Sequence, residues 1–171
     1  DDVWGWNFVD NNNDPRPKVE ELSGDEKKED VFSHGTVVAG LIGAVGNNGL
    51  DGAGISWRAK IMSVKILDNS GEGDIVPLAP AIRYAVDNGA NVINISAVGF
   101  ENGDKDDIKQ AVKHAYEKGV VVVAAAGNGN TYSNASPLYP VCADLGLGGQ
   151  MVLGVSAVTP DHHLNRFSNT G

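Results

Sequence analysis

Apolar and polar positions divide the chain into short blocks. Residues 4–9 (WGWNFV) form an aromatic-rich stretch that predicts a short strand. Residues 10–33 follow with Asn-Asn-Asn-Asp, Pro15, Pro17 and the charged run GDEKKED. This is loop composition, and the two prolines exclude a regular helix there. From His34 the pattern changes. The run VVAGLIGAVG is small and apolar and predicts a helix buried on nearly all sides. The glycine-rich stretch NNGLDGAG breaks it. Ile61 to Leu67 reads as a buried strand. Ile75, Leu78, Ile82, Ala85 and Val86 recur at helical spacing, and Gly89 stands where a helix C-terminal glycine belongs. Asn91 to Ser96 is a strand.

Ile108, Ala111, Val112, Ala115 and Tyr116 mark the next helical face. Asp106 and Asp107 come early and Lys113 and Lys118 late, an order that suits the helix dipole. Gly119 closes that helix. Val120 to Ala126 and Met151 to Ala157 are continuous apolar strands. From Ile61 the order is strand, helix, strand, helix, strand, strand. Strands without polar alternation, separated by helices, predict an α/β fold with a parallel sheet covered on both faces. There is no internal repeat and no low-complexity tract.

Composition narrows the class. The 171 residues fit one domain or part of a larger one. The hydrophobic fraction of 42 % and the charged fraction of 20 % exclude a disordered chain. The net charge of −9 argues against a nucleic-acid partner. Residues 1–30 carry 10 acidic and 4 basic side chains, a net of −6, and the rest only −3. Cys142 is the single cysteine, so neither an intrachain disulfide nor a CxxC metal site is available. The longest strongly apolar run, Val120 to Ala126, is far below the roughly 18 residues of a membrane span, so no membrane partner is expected. No signal peptide is visible. The chain begins with Asp1 rather than Met and ends in what reads as the entrance to a turn, so it is expected to be a segment of a longer protein.

Candidate chemistry sits at strand ends and at one helix start. In open parallel sheets, active sites gather at the carboxyl ends of the strands. The strand at 120–126 ends in Gly127-Asn128, and His34-Gly35-Thr36 opens the first helix. A His at a helix N-terminus is favoured in its neutral, basic form. An Asn after a strand-ending Gly can aim its side-chain amide at a developing oxyanion. Taken singly, each also has an ordinary structural reading: a satisfied structural His and a plain turn.

The combination is specific. His34-Gly-Thr-Val-Val-Ala-Gly40, Asn47-Asn-Gly49 and Val64-Lys-Ile-Leu67 occur in order, followed by Val92-Ile-Asn-Ile-Ser96 and Gly119 to Asn128. Tyr139-Pro140, Gly154 to Val158 and Phe167-Ser-Asn169 complete the series. This series resembles the subtilase family of serine endopeptidases over nearly all of residues 34–171, with residues 1–15 similar to the segment before the His motif. The resemblance implies a three-layer subtilisin-like fold with a mostly parallel sheet between helices, here incomplete at both ends. It implies His34 as general base and Asn128 as oxyanion donor. It also implies Gly71-Glu72-Gly73 and Ser96-Ala97-Val98-Gly99 as the two segments that flank an extended peptide, and Ala125-Ala126-Gly127 as a wall of the S1 pocket. Pairing with the substrate main chain would give broad specificity toward peptides and proteins.

Departures matter as much. Ser96-Ala97-Val98-Gly99 stands where the family often has Ser-Leu-Gly-Gly, which leaves the P1 preference open. Val37 stands where His is common. The segment from Pro15 to His34 is longer than the family linker and acidic, and residues 16–30 are expected to form a surface loop beside the active site. The family triad runs Asp, His, Ser, in Asp-Ser/Thr-Gly and Gly-Thr-Ser-Met-Ala contexts. Neither motif occurs in this chain. Without the nucleophile no acyl-enzyme forms, and without the Asp the His tautomer is not fixed. The chain alone is therefore expected to be inactive, and the complete protein to be an endopeptidase. A non-catalytic subtilase-like domain that binds extended peptides or a protein partner is the alternative.

No cofactor is required for this chemistry. Val45 to Gly54 aligns with a family loop that holds a structural Ca²⁺ through backbone carbonyls and an Asn side chain, here Asn47; a plain glycine turn is the competing reading. His162-His163 is too short to specify a metal site. Gly127 and Gly129 lack the third glycine of a dinucleotide loop, because Tyr132 occupies its place. Cys142 reads as a half-buried packing residue. The family implies a secreted or cell-envelope protein.

Overall fold

The computed structural model describes residues 5–18, 34–50, 52–68, 71, 77–99, 104–131 and 137–170. The chain divides into two compact units, Asp1–Asp74 and Ile75–Gly171. Elements run in the order β1 (Gly5–Asn7), α1 (His34–Gly43), β2 (Ser63–Lys65), α2 (Leu78–Asp87), β3 (Val92–Ile95), α3 (Lys105–Glu117), β4 (Val121–Ala125) and β5 (Val152–Val155).

The first unit holds a parallel pair, β1 with β2, in the register Gly5↔Ser63. Gly5 is obligatory here: its φ is +133°, and a Cβ would fall 1.8 Å from the Ser63 carbonyl oxygen. The turn after β1 is organised by the fully buried Asn7. Asn7 Oδ1 accepts from the Val9 and Asp10 amides, and Nδ2 donates to Asp10 Oδ2 and to the Asp14 carbonyl. The start of the expected loop is thus a built turn. Beside it, the Arg16 guanidinium on Asp14 holds that carboxyl down at about 2. The rest of the acidic segment, residues 19–33, lies outside the described residues.

Helix α1 forms where its sequence predicts, but its burial does not match. None of its residues is buried, and Leu41 is 64 % exposed. Within this unit described residues meet its C-terminal end. The Ile55 and Ser56 amides donate to the Leu41 and Ile42 carbonyls, and Ile61 packs at Gly43. An apolar pattern records what a helix can bury, not what lies against it. Strand β2 is likewise shorter and less buried than Ile61–Leu67 suggested.

The second unit contains the core. Strands β3, β4 and β5 form a parallel sheet in that order, in register Ile95↔Ala124 and Ala124↔Gly154. Leu78, Ile82, Ala85 and Val86 line one face of α2; Ile108, Ala111, Val112 and Ala115 line one face of α3. These spacings of three, four, seven and eight residues are an amphipathic stripe. The two helices pack together, and α3 lies against β4, whose Val122 and Ala124 are fully buried. Each large aliphatic side chain so buried contributes about 1.5–3 kcal/mol. Arg83 on α2 forks onto the Asp107 carboxylate on α3, and His114 Nε2 lies 3.1 Å from Asp87 Oδ1.

Both helices end in the same way. Gly89 and Gly119 take positive φ, and the following amides reach back five residues, Ala90 to the Ala85 carbonyl and Val120 to that of Ala115. Asp104 caps α3 by accepting from the Asp106 and Asp107 amides. Coverage of the sheet differs from the expectation. Val92, Val121, Leu153 and Val155 are exposed, so the described residues cover one face only. Cys142 is buried rather than half-buried.

Candidate functional site

In a parallel sheet every strand delivers its following loop to the same edge. Strands β3 and β4 are neighbours, so Ser96–Gly99 leaves the sheet beside Ala125–Asn128. The register brings these two predicted segments together: a Cβ on Gly127 would lie 3.5 Å from Val98 Cγ2. Asn94 Nδ2 donates to Ser96 Oγ at the start of the first segment. In the second, the Ala126 amide donates to the Val155 carbonyl on β5.

The strand gives way to a loop at Gly127. Its φ is +96°, a conformation that favours glycine, and a Cβ there would lie 2.6 Å from Asn169 Nδ2. Asn128 follows and is exposed, with its side chain making no hydrogen bond to another described residue. An amide held at a strand end, with its N–H groups available, can donate to an oxygen that gains charge in a reaction.

What holds this loop is the turn at 167–170. Asn169 is 1 % exposed. Its Oδ1 accepts from the Gly129 amide at 2.9 Å, the Thr131 amide at 2.9 Å and the Thr131 hydroxyl at 3.0 Å. Its Nδ2 donates to the Ala126 carbonyl at 2.9 Å. Its backbone amide donates to the Gly127 carbonyl. The Ser156 and Ser168 hydroxyls both donate to the Asn169 carbonyl, and Ser168 Oγ also accepts from the Ala157 amide. Ser168 is thereby a buried structural hydroxyl. Asn169 is the residue that sequence reasoning missed. The Phe-Ser-Asn turn was its only signal.

The remaining candidates belong to the first unit or to segments outside the description. His34 is the first residue of α1 and is exposed. Asn47 is exposed, at φ +58°, in the loop after α1. Its neighbour Asn48, also exposed, accepts from the Leu50 amide. Gly71 has φ +79°, and its amide donates to the Asp68 carbonyl. Glu72 and Gly73 lie outside the described residues. Among the described residues no group of three His, Cys, Asp or Glu could hold a metal ion. The Asn47 loop offers a different donor set, an Asn amide oxygen with backbone carbonyls. His163 meets Asp161 at 3.7 Å on an exposed turn. No described helix is long and apolar enough to cross a membrane.

Comparison with known proteins bears on this arrangement. The Peptidase S8 profile, described as the subtilase family, matches residues 5–171. Thermitase from Thermoactinomyces vulgaris is 42 % identical over 138 residues, 81 % of this chain and 43 % of that protein. The minor extracellular protease Epr of Bacillus subtilis is 39 % identical over 84 % of this chain and 20 % of its own length. The chain thus spans less than half the length of these curated relatives. Among solved structures, the psychrophilic subtilisin-like protease Apa1 from Pseudoalteromonas sp. AS-11 superposes with a TM-score of 0.63 at 33 % identity, over 77 % of this chain and 28 % of that one.

Proposed function

The chain belongs to the subtilase family, and we propose that it is the central part of a serine endopeptidase that hydrolyses peptide bonds through an acyl-enzyme. His34 is the general base, taking the nucleophile's proton and passing it to the leaving amine. Asn128 donates its side-chain N–H to the oxyanion of the tetrahedral intermediate. Ser96–Gly99 and Gly71–Gly73 bind the substrate main chain, and Ala125–Gly127 lines the P1 side-chain pocket, with Val98 on its rim.

The observation that carries this reading is the exposed Asn128 amide at the carboxyl end of β4, adjoining Ser96–Gly99. The chain by itself has neither Asp-Ser/Thr-Gly nor Gly-Thr-Ser. It therefore lacks turnover alone and gains it only within a protein that supplies both motifs. A fluorogenic peptide assay on the isolated chain and on the full-length protein tests this. Activity confined to the full-length protein, and abolished by a serine-directed inhibitor, supports the reading. An inactive full-length protein that still binds peptides makes the chain part of a non-catalytic domain.

The relative described as extracellular supports an exported protein. Asn47 and the carbonyls of its loop form an oxygen-only donor set that suits a structural Ca²⁺ rather than a softer metal. Calorimetry on the full-length protein should show Ca²⁺ binding that Asn47→Ala weakens; no heat in the wild type overturns the site.

A further inference from the structure

Asn128 works only if its amide is already in place when charge develops, because donors that must reorganise lose most of their advantage. Its own side chain is exposed and bonds to no other described residue, so its position depends on the backbone around it. That backbone is gripped on both sides by one buried side chain. Before Asn128, Asn169 Nδ2 holds the Ala126 carbonyl. After it, Asn169 Oδ1 holds the Gly129 and Thr131 amides. Between them, the Asn169 backbone amide holds the Gly127 carbonyl. Gly127 lacks the Cβ that would collide with Asn169 Nδ2, so the close approach is built from both partners.

From this geometry we propose that Asn169 is a positioning residue for the oxyanion donor: it fixes the 126–131 loop so that Asn128 presents its amide without reorganisation. This rests on the serine endopeptidase reading given above. No other residue type fills the role at this volume. Asp keeps the acceptors for Gly129 and Thr131 but sets an oxygen against the Ala126 carbonyl and puts a charge near a developing anion. Leu fills the space with no polar atoms, leaving the Gly129 and Thr131 amides and the Ala126 carbonyl without this partner.

The test uses the full-length protein and a fluorogenic peptide, with rates normalised by active-site titration. Asn169→Ala should lower kcat by about 10–100-fold, the scale of a small misplacement of a catalytic group, with KM within about twofold. Asn169→Asp, which keeps the volume, should show the same split, and serves where the alanine variant does not fold. The decisive comparison is made in an Asn128→Ala background, where Asn169→Ala should cost less than about twofold, because it acts through a side chain already gone. An equal loss in both backgrounds, or wild-type kcat in both Asn169 variants, overturns the proposal. If the wild type has no peptidase activity, the endopeptidase reading fails instead. Amide hydrogen exchange then decides the positioning claim: faster exchange at Gly129 and Thr131 in Asn169→Ala or, at near-native volume, in Asn169→Leu, both of which remove the acceptor, upholds it, and unchanged exchange in both overturns it.

Discussion

Both units carry apolar sequence, and they use it differently. Every buried hydrophobic side chain among the described residues lies in the second unit, from Leu78 to Ala143. In the first unit, Val37, Leu41, Val45, Leu50 and Ile55 are all exposed. Yet each unit contributes one candidate for the chemistry, His34 on the unburied α1 and Asn128 on the loop after the buried β4. Packing and chemistry are therefore separable in this chain. The units also share one device. Asn7 in the first and Asn169 in the second are buried asparagines whose amides organise a loop just beyond a strand. A side chain with both donor and acceptor can satisfy backbone groups of either kind, which suits irregular segments that no ladder pairs.

The sharpest break in the comparison is His34. His34→Ala in the full-length protein should lower kcat by about 10⁶-fold, the scale measured for a subtilisin rather than for this chain. It should leave the thermal midpoint of the protein nearly unchanged, because the residue is exposed. A large loss of stability with modest loss of rate would reverse its assignment.

Core substitutions come next. Ile82→Ala on α2 removes a side chain that is 2 % exposed and should cost about 2–5 kcal/mol by denaturant unfolding of the chain. Leu41→Ala on α1 should stay within about 0.5 kcal/mol in the same measurement. Equal costs would mean that the exposure difference between the units is not real in solution.

The smallest effect concerns the tie between α2 and α3. The hydrogen bonds from Arg83 hold the Asp107 carboxyl below its usual range. A lowered folded-state pKa adds stability that is fully present above the unfolded value of about 3.9 and is lost as pH falls through the lower folded value. Both side chains are more than a third exposed, so solvent screening limits the pair to about 0.5 kcal/mol. Arg83→Ala should flatten the acid limb of the stability curve by that amount. An unchanged acid limb would assign the pair no stabilising role.

The sequence makes some of this legible and hides the rest for physical reasons. The stripes at 78, 82, 85, 86 and at 108, 111, 112, 115 announce α2 and α3, because period and burial coincide there. Gly89 and Gly119 announce where they stop, because few other residues take that φ. Val120–Ala126 announces a parallel strand but not its ends, since β4 pairs only over Val121–Ala125. The exposure of α1 is invisible, because a local pattern carries no record of what packs against it. Motif order points to Asn128 and His34 as candidates. It does not reveal Asn169, whose side-chain partners lie 38 to 43 residues away in the chain. A Phe-Ser-Asn triplet reads as a turn until the sheet brings β4 and the segment after β5 together.

The most direct measurement is steady-state hydrolysis of a fluorogenic peptide by the full-length protein and its Asn128→Ala variant. Loss of one oxyanion donor should lower kcat by about 10²–10³-fold, a magnitude known from a subtilisin, with KM within about twofold. An Asn128→Ala protein that keeps wild-type kcat, or loses rate only through a raised KM, contradicts the assignment of this strand end as the oxyanion site.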